Sequence, residues 1–143
     1  PFYLLDTYNG FDERFLSEEQ AAALRKWRQQ HGRDFYEDSY SQVLETFSDA
    51  PNVKIVRGAV PETLDQVTED RIAYLSIDMN CTLPEIAAGD YFWPKMAKGA
   101  YIVLDDYGWP GHEEQRHAWD AWAVRTGAPL LSLPTGQGLI VKV

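Results

Sequence analysis

Three aspartates carry the sharpest chemical signal in this sequence. Asp78 follows the apolar run Ile72-Ala73-Tyr74-Leu75-Ser76-Ile77, and the pair Asp105-Asp106 follows Tyr101-Ile102-Val103-Leu104. Each run reads as a strand, and in open α/β sheets ligands bind beyond the carboxyl ends of the strands. If the two strands are neighbours, three carboxylates converge on one sheet edge. Uncompensated, such a cluster raises its own pKa values and destabilises the fold. A hard divalent cation resolves the repulsion, and Mg2+ suits oxygen ligands with positions left to water or substrate. The competing reading is that one or two of these acids cap the helices that follow.

Other residues fall into the same pattern. Asp6 ends the run Phe2 to Asp6, where an acid can receive the hydroxyls of a nucleoside ribose. It can equally form an Asx-turn into Thr7-Tyr8. Gly58 ends the run Val53-Lys54-Ile55-Val56, a place where backbone can approach a ligand closely. His112 lies six residues beyond Asp106. It is placed either as a general base at the mouth of a cleft or as an exposed residue at a helix start. Trp109-Pro110-Gly111 is an aromatic wall over a substrate or a stiffener of its loop. Thr135-Gly136-Gln137-Gly138 has two glycines but neither lysine nor a following helix, so it reads as a turn and not a phosphate loop. His31 and His117 have no companion at ligand spacing, and Cys81 reads as a small buried apolar residue.

The elements that position these residues alternate along the chain. After the first strand, Ser17-Glu18-Glu19-Gln20 makes a capping box, and Gly32 stops the helix it opens. A second helix is expected over 37–49 and a short one from Pro61. Strand 72–77 is followed by a helix over 84–97, strand 101–104 by a helix over 112–125 that Gly127 stops. Leu130-Leu131-Ser132-Leu133 and Leu139 to Val143 flank a hairpin turn. Strands apolar throughout, alternating with helices, indicate a mostly parallel sheet covered on both faces, with one antiparallel strand added by the hairpin.

Length and charge narrow the function. A chain of 143 residues is one domain by length. Its net charge of −9 argues against a nucleic-acid partner, since no basic cluster outweighs the acids. No apolar run approaches the roughly 20 residues that span a bilayer, so no membrane is expected. A single cysteine excludes an internal disulfide and suits a reducing, cytoplasmic setting. Five tryptophans are many for this length, and some are expected to line a cleft or an interface.

Four segments together resemble the macrocin O-methyltransferase-like family of S-adenosylmethionine-dependent enzymes. They are Leu5 to Phe11 (LDTYNGF), Gly58 to Leu64 (GAVPETL), Leu75 to Asp78 (LSID), and Gly99 to Tyr107 (GAYIVLDDY). The resemblance covers nearly the whole chain, and Asp-Asp-Tyr is its most specific part. It implies a Rossmann-like, doubly wound sheet of seven strands in order 3-2-1-4-5-7-6, the last strand antiparallel. It implies Mg2+ on Asp78, Asp105 and Asp106, the cofactor ribose at Asp6 with Thr7 beside it, and the adenine near Gly58 and Ala59. Two departures stand out. The family's first strand and Gly-containing loop have no counterpart before Pro1, where the chain opens directly into an apolar run. A lost upstream segment, and a sheet split or re-paired around the missing strand, are therefore expected. After Asp78 the family has a second acid and Leu-Tyr, where this chain has Asn80-Cys81-Thr82.

The resemblance implies Mg2+-assisted methyl transfer from S-adenosylmethionine to a hydroxyl of a small molecule, a sugar or a secondary metabolite. Asp78 and His112 would be its catalytic residues. The rival expectation is an inactive methyltransferase-like fragment that self-associates, for example as a homodimer, through unpaired strand edges. A third is a nucleotide-binding α/β domain that uses Asp6 and transfers nothing.

Overall fold

A computed structural model describes all residues, 1–143. The chain divides into two compact units, residues 1–67 and 68–143.

In the first unit, β1 (Phe2–Asp6) pairs in parallel with β2 (Val53–Arg57), in register from Phe2 with Val53 to Asp6 with Arg57. Helix α1 (Glu18–His31) starts at the expected capping box. Ser17 Oγ accepts from the Gln20 amide, and Gln20 Oε1 accepts from the Ser17 amide at 3.0 Å. It ends at Gly32, whose φ of 67° is the left-handed conformation that a C-cap glycine adopts without strain. Helix α2 (Tyr40–Thr46) begins three residues later than the pattern indicates. The Ser39 amide donates to Tyr8 O, and Asp38 Oδ1 accepts from the Tyr40 amide, so the chain before Tyr40 is committed elsewhere. The short helix expected from Pro61 is one 3-10 turn, Leu64–Gln66, which ends as Val67 turns extended and buries its side chain.

The second unit holds β3 (Ile72–Ile77), α3 (Thr82–Phe92), β4 (Met96–Leu104), α4 (Glu113–Thr126), β5 (Leu130–Ser132) and β6 (Gly138–Val141). Its sheet order is β3-β4-β6-β5, with β3 and β4 parallel and the closing hairpin antiparallel. Within each of the two sheets, β1-β2 and β3-β4-β6-β5, the pairing is the one the resemblance implies for those strands, and the strands have not re-paired. Helix α3 stops at Phe92 and not near residue 97 because Pro94 has no N–H to continue the ladder. The strand that follows therefore starts at Met96, earlier than residue 101, and its register with β3 shifts near Gly99.

Register puts Ile77, Ile102, Leu104 and Ile140 on one face of this sheet, and all are buried, Ile102 and Ile140 to 0 % exposure. Ala88 and Phe92 of α3 and Trp119 and Trp122 of α4 are buried with them. The helices meet at Gly89, where a Cβ would lie 2.7 Å from Trp119 Cη2 and 3.2 Å from Trp122 Nε1. The indole N–H groups are satisfied by acids of α3, Trp119 by Glu85 and Trp122 by Asp90, both at 2.9 Å. Two of the five tryptophans are thus core and not cleft. The opposite sheet face carries Tyr74, Tyr101 and Leu131, all exposed, with the two rings edge to face at 5.3 Å. Burial on both faces is not what this part of the sheet shows.

Gly89→Ala drives a methyl into the indole of Trp119 and is expected to destabilise the protein by about 1–3 kcal/mol in urea unfolding. Val124→Ala, on the same helix pair but 85 % exposed, is expected to stay within about 0.5 kcal/mol of wild type.

Candidate functional site

The second unit builds an acidic site from strand register. β3 and β4 are parallel, and the last register pair is Ile77 with Leu104. The next residue on each strand is Asp78 and Asp105, and the Asp105 amide donates to Ile77 O at 3.0 Å. Asp106 follows, and one oxygen from each of the three carboxylates lies within 4.8 Å of the others. The constellation inferred from spacing is brought together. The capping alternative is not what these residues do, since the N-caps of α3 and α4 are Cys81 and His112.

Each acid has a neighbour from a different element. Asn80 Nδ2 donates to Asp78 Oδ1 at 3.3 Å, from a backbone held at a φ of 55°. Gln137 Nε2, in the β5–β6 turn, donates to Asp105 Oδ1 at 2.8 Å. His112 Nδ1 stands 3.8 Å from Asp106 Oδ2 and 3.0 Å from Gln115 Nε2. With the Gln115 amide so turned, Nδ1 accepts and the ring proton is on Nε2. With the amide turned over, Nδ1–H donates to Gln115 Oε1 and Nε2 is left as a base.

Behind Asp78 lies Glu85, 5 % exposed on α3. Burial pushes its carboxyl up to about 7, against the hydrogen bonds donated by the Trp119 indole and the Met79 and Asn80 amides, and the charge of Asp106 adds to the rise. Glu85 therefore ties the loop that follows Asp78 to the tryptophan core. Tyr107 anchors the other loop, donating to Asp120 Oδ1 at 2.6 Å. Trp109 is 55 % exposed, and its indole lies against Gly136, where a Cβ would come 2.6 Å from Nε1.

In the first unit, Asp6 Oδ1 accepts from the Tyr8 amide at 2.7 Å, while the single Thr7 hydroxyl proton goes to Gly10 O at 2.5 Å. This is the Asx-turn. Tyr8 itself is buried, donates to Leu4 O at 2.9 Å, and is pushed up to about 12 by burial and the Asp6 charge. Gly58 has a reason of its own to lack a side chain: at a φ of 148°, its Cβ would lie 2.7 Å from Thr63 Cγ2. Thr63 in turn donates to Ala59 O at 3.2 Å.

The sequence matches the macrocin-O-methyltransferase (TylF) family over residues 1–129. The chain belongs to that family. Among solved structures it is similar to the O-methyltransferase NovP, with a TM-score of 0.73 and 17 % identity over 99 % of this chain and 59 % of NovP. It is also similar to CalS11, a calicheamicin methyltransferase, at a TM-score of 0.62 and 19 % identity over 97 % of this chain and 59 % of CalS11. An apo structure of CalS11, described as a TDP-rhamnose 3'-O-methyltransferase, gives a TM-score of 0.58 and 20 % identity, over 97 % of this chain and 56 % of that one. These likenesses establish a Rossmann-like methyltransferase fold. The chain spans about three fifths of the length of those structures. No curated protein matches it.

Within the family frame, three neighbours of the acids escaped sequence reasoning: Glu85, Gln115 and Gln137. The first two had a signal. Glu85 shares helical spacing with Ala88, Gly89 and Phe92, and Gln115 with Trp119 and Trp122, so each is a polar residue on an apolar stripe. Gln137 had none, because a glutamine in a turn is ordinary.

The Glu85 carboxyl makes stability depend on pH. Below its ordinary value of 4.5 it is protonated in both the folded and unfolded chains. As pH rises towards 7 the unfolded chain loses that proton while the folded chain keeps it, so stability falls. The loss is on the order of 3 kcal/mol by the time the folded carboxyl has ionised. Urea midpoints followed from pH 4.5 to 8 are expected to fall less steeply in Glu85→Gln than in wild type.

Proposed function

We propose that this chain is part of an S-adenosylmethionine-dependent O-methyltransferase that uses a divalent cation, Mg2+, to act on a hydroxyl of a small molecule. Family membership supports the methyl donor. The acidic triad is the observation that carries the cation, since three carboxylate oxygens within 4.8 Å of one another are the donor set a hard cation prefers. The printed description of CalS11 as a TDP-rhamnose 3'-O-methyltransferase supports a sugar or other secondary-metabolite hydroxyl as acceptor.

When bound, S-adenosylmethionine would supply a methyl on a sulfonium leaving group, and the cation would lower the pKa of the acceptor hydroxyl. The chain's own residues divide the remaining work. Asp6, its carboxylate fixed by the Tyr8 amide, would hold the ribose with Thr7 beside it, and Gly58 and Ala59 would bound the adenine. Asp78, Asp105 and Asp106 would hold the cation. His112 would take the hydroxyl proton at Nε2 with the Gln115 amide turned over, so that Gln115 Oε1 accepts from Nδ1–H. Trp109 would present its exposed face to the acceptor, as a flat apolar platform suited to a sugar ring.

Calorimetric titration with S-adenosylhomocysteine, with and without Mg2+, tests the reading. Saturable binding is expected, weakened about 10- to 100-fold in Asp6→Ala by loss of a charged hydrogen-bond partner. No binding to a folded chain would leave it a methyltransferase-like fragment without its cofactor. Binding that Asp6→Ala leaves untouched would remove the ribose role from Asp6.

A further inference from the structure

Gln137 lies beyond residue 129, where the family match ends, yet it touches the acidic site. Its Nε2 donates to Asp105 Oδ1 at 2.8 Å, and its Oε1 accepts from Thr135 Oγ1 at 3.1 Å. The orientation of this amide is settled by chemistry, because an ionised carboxylate only accepts.

The turn that carries Gln137 is braced on three sides. Within it, the Leu133 amide donates to Gln137 O at 2.8 Å and the Gly136 amide donates to Leu133 O at 3.1 Å. Across to the loop after Asp106, the Gly108 amide donates to Gly136 O at 2.6 Å. Gly136, at a φ of 88°, packs its backbone directly on the Trp109 indole, leaving no room for a Cβ. The turn and the Asp105–Trp109 loop are therefore held as one piece, and the amide of Gln137 arrives at Asp105 without having to be ordered.

We propose that Gln137 is a positioning residue for the cation site, and that the C-terminal hairpin is part of that site. By donating to Oδ1 it fixes the Asp105 carboxylate and leaves the other oxygen to ligate. Its N–H dipole also offsets part of the repulsion among the three acids before a cation arrives. Outer partners of this kind commonly change metal affinity by about 10- to 100-fold. The role rests on the cation reading given above.

The test uses Mn2+ as a spectroscopic substitute for Mg2+, titrated into metal-free protein and followed by the paramagnetic resonance of the free ion. Gln137→Met keeps the length and removes the donor. It is expected to weaken Mn2+ binding about 10-fold, with the unfolding midpoint in chelator unchanged. Gln137→Ser, which cannot reach Asp105 and leaves a solvated turn, serves as the second variant should the first prove unstable. Asp105→Asn is expected to abolish binding, and Leu131→Ala, exposed on the same hairpin, to leave it intact. Wild-type affinity in both Gln137 variants, with Asp105→Asn still inactive, overturns the positioning role while the cation site stands. Absence of Mn2+ binding in wild type overturns the cation site and this role with it.

Discussion

Parallel pairing of β3 with β4 forces two carboxylates to lie side by side. The strands end in register at Ile77 and Leu104, so Asp78 and Asp105 leave the sheet as neighbours, and Asp106 follows on the same loop. Neither strand can slip to relieve this. A shift of one residue would turn Ile77, Ile102 and Leu104 out of the core, and those are among the most buried side chains in the chain. The repulsion among the acids is thus imposed by the hydrophobic register and has to be answered by what surrounds it.

Three elements surround these acids. Glu85 on α3 accepts the amides that follow Asp78 and is itself held by the Trp119 indole. Gln115 on α4 meets His112 beside Asp106. Gln137 in the hairpin turn donates to Asp105. The Glu85–Trp119 bond depends on the close approach of α3 and α4, which Gly89 permits by leaving space for the indoles. A buried carboxyl is normally a liability, and Glu85 is tolerated because burial keeps it protonated towards neutral pH while its hydrogen bonds remain in place. The tryptophan core and the acidic edge are in this sense one structure, with stability and site geometry carried by the same contacts.

The first unit follows a simpler logic. β1 and β2 pair along their full length, and the Asx-turn of Asp6 starts the loop that leads away from the sheet. Tyr8 in that loop adopts a φ of 55° and buries its ring, with the hydroxyl on Leu4 O. The strand-end acid Asp6 is therefore the residue that shapes its own loop. The packing of Gly58 on Thr63 has the same double character, since a conformation that looks reserved for a ligand is already required by the fold.

Strand identity, the capping box, the glycine stops and the convergence of Asp78, Asp105 and Asp106 were all legible in the residues. Local pattern determines these, because side-chain period, cap chemistry and strand ends depend on neighbours in the chain. The family was legible for the same reason, in segments that are contiguous. The early end of α3 was legible in principle at Pro94, but the delayed start of α2 was not, since it depends on Tyr8 and Asp38 drawing the chain elsewhere. Sequence by itself thus determined which residues stand at the ends of strands and what chemistry they can carry. Only the tertiary structure decided which distant side chains meet there, because Glu85 reaches the Trp119 indole and Gln137 reaches Asp105 through the packing of elements far apart in the chain. Glu85 shows in the order of residues only as a polar position on an apolar helical stripe, and Gln137, in a turn, leaves no periodic trace at all.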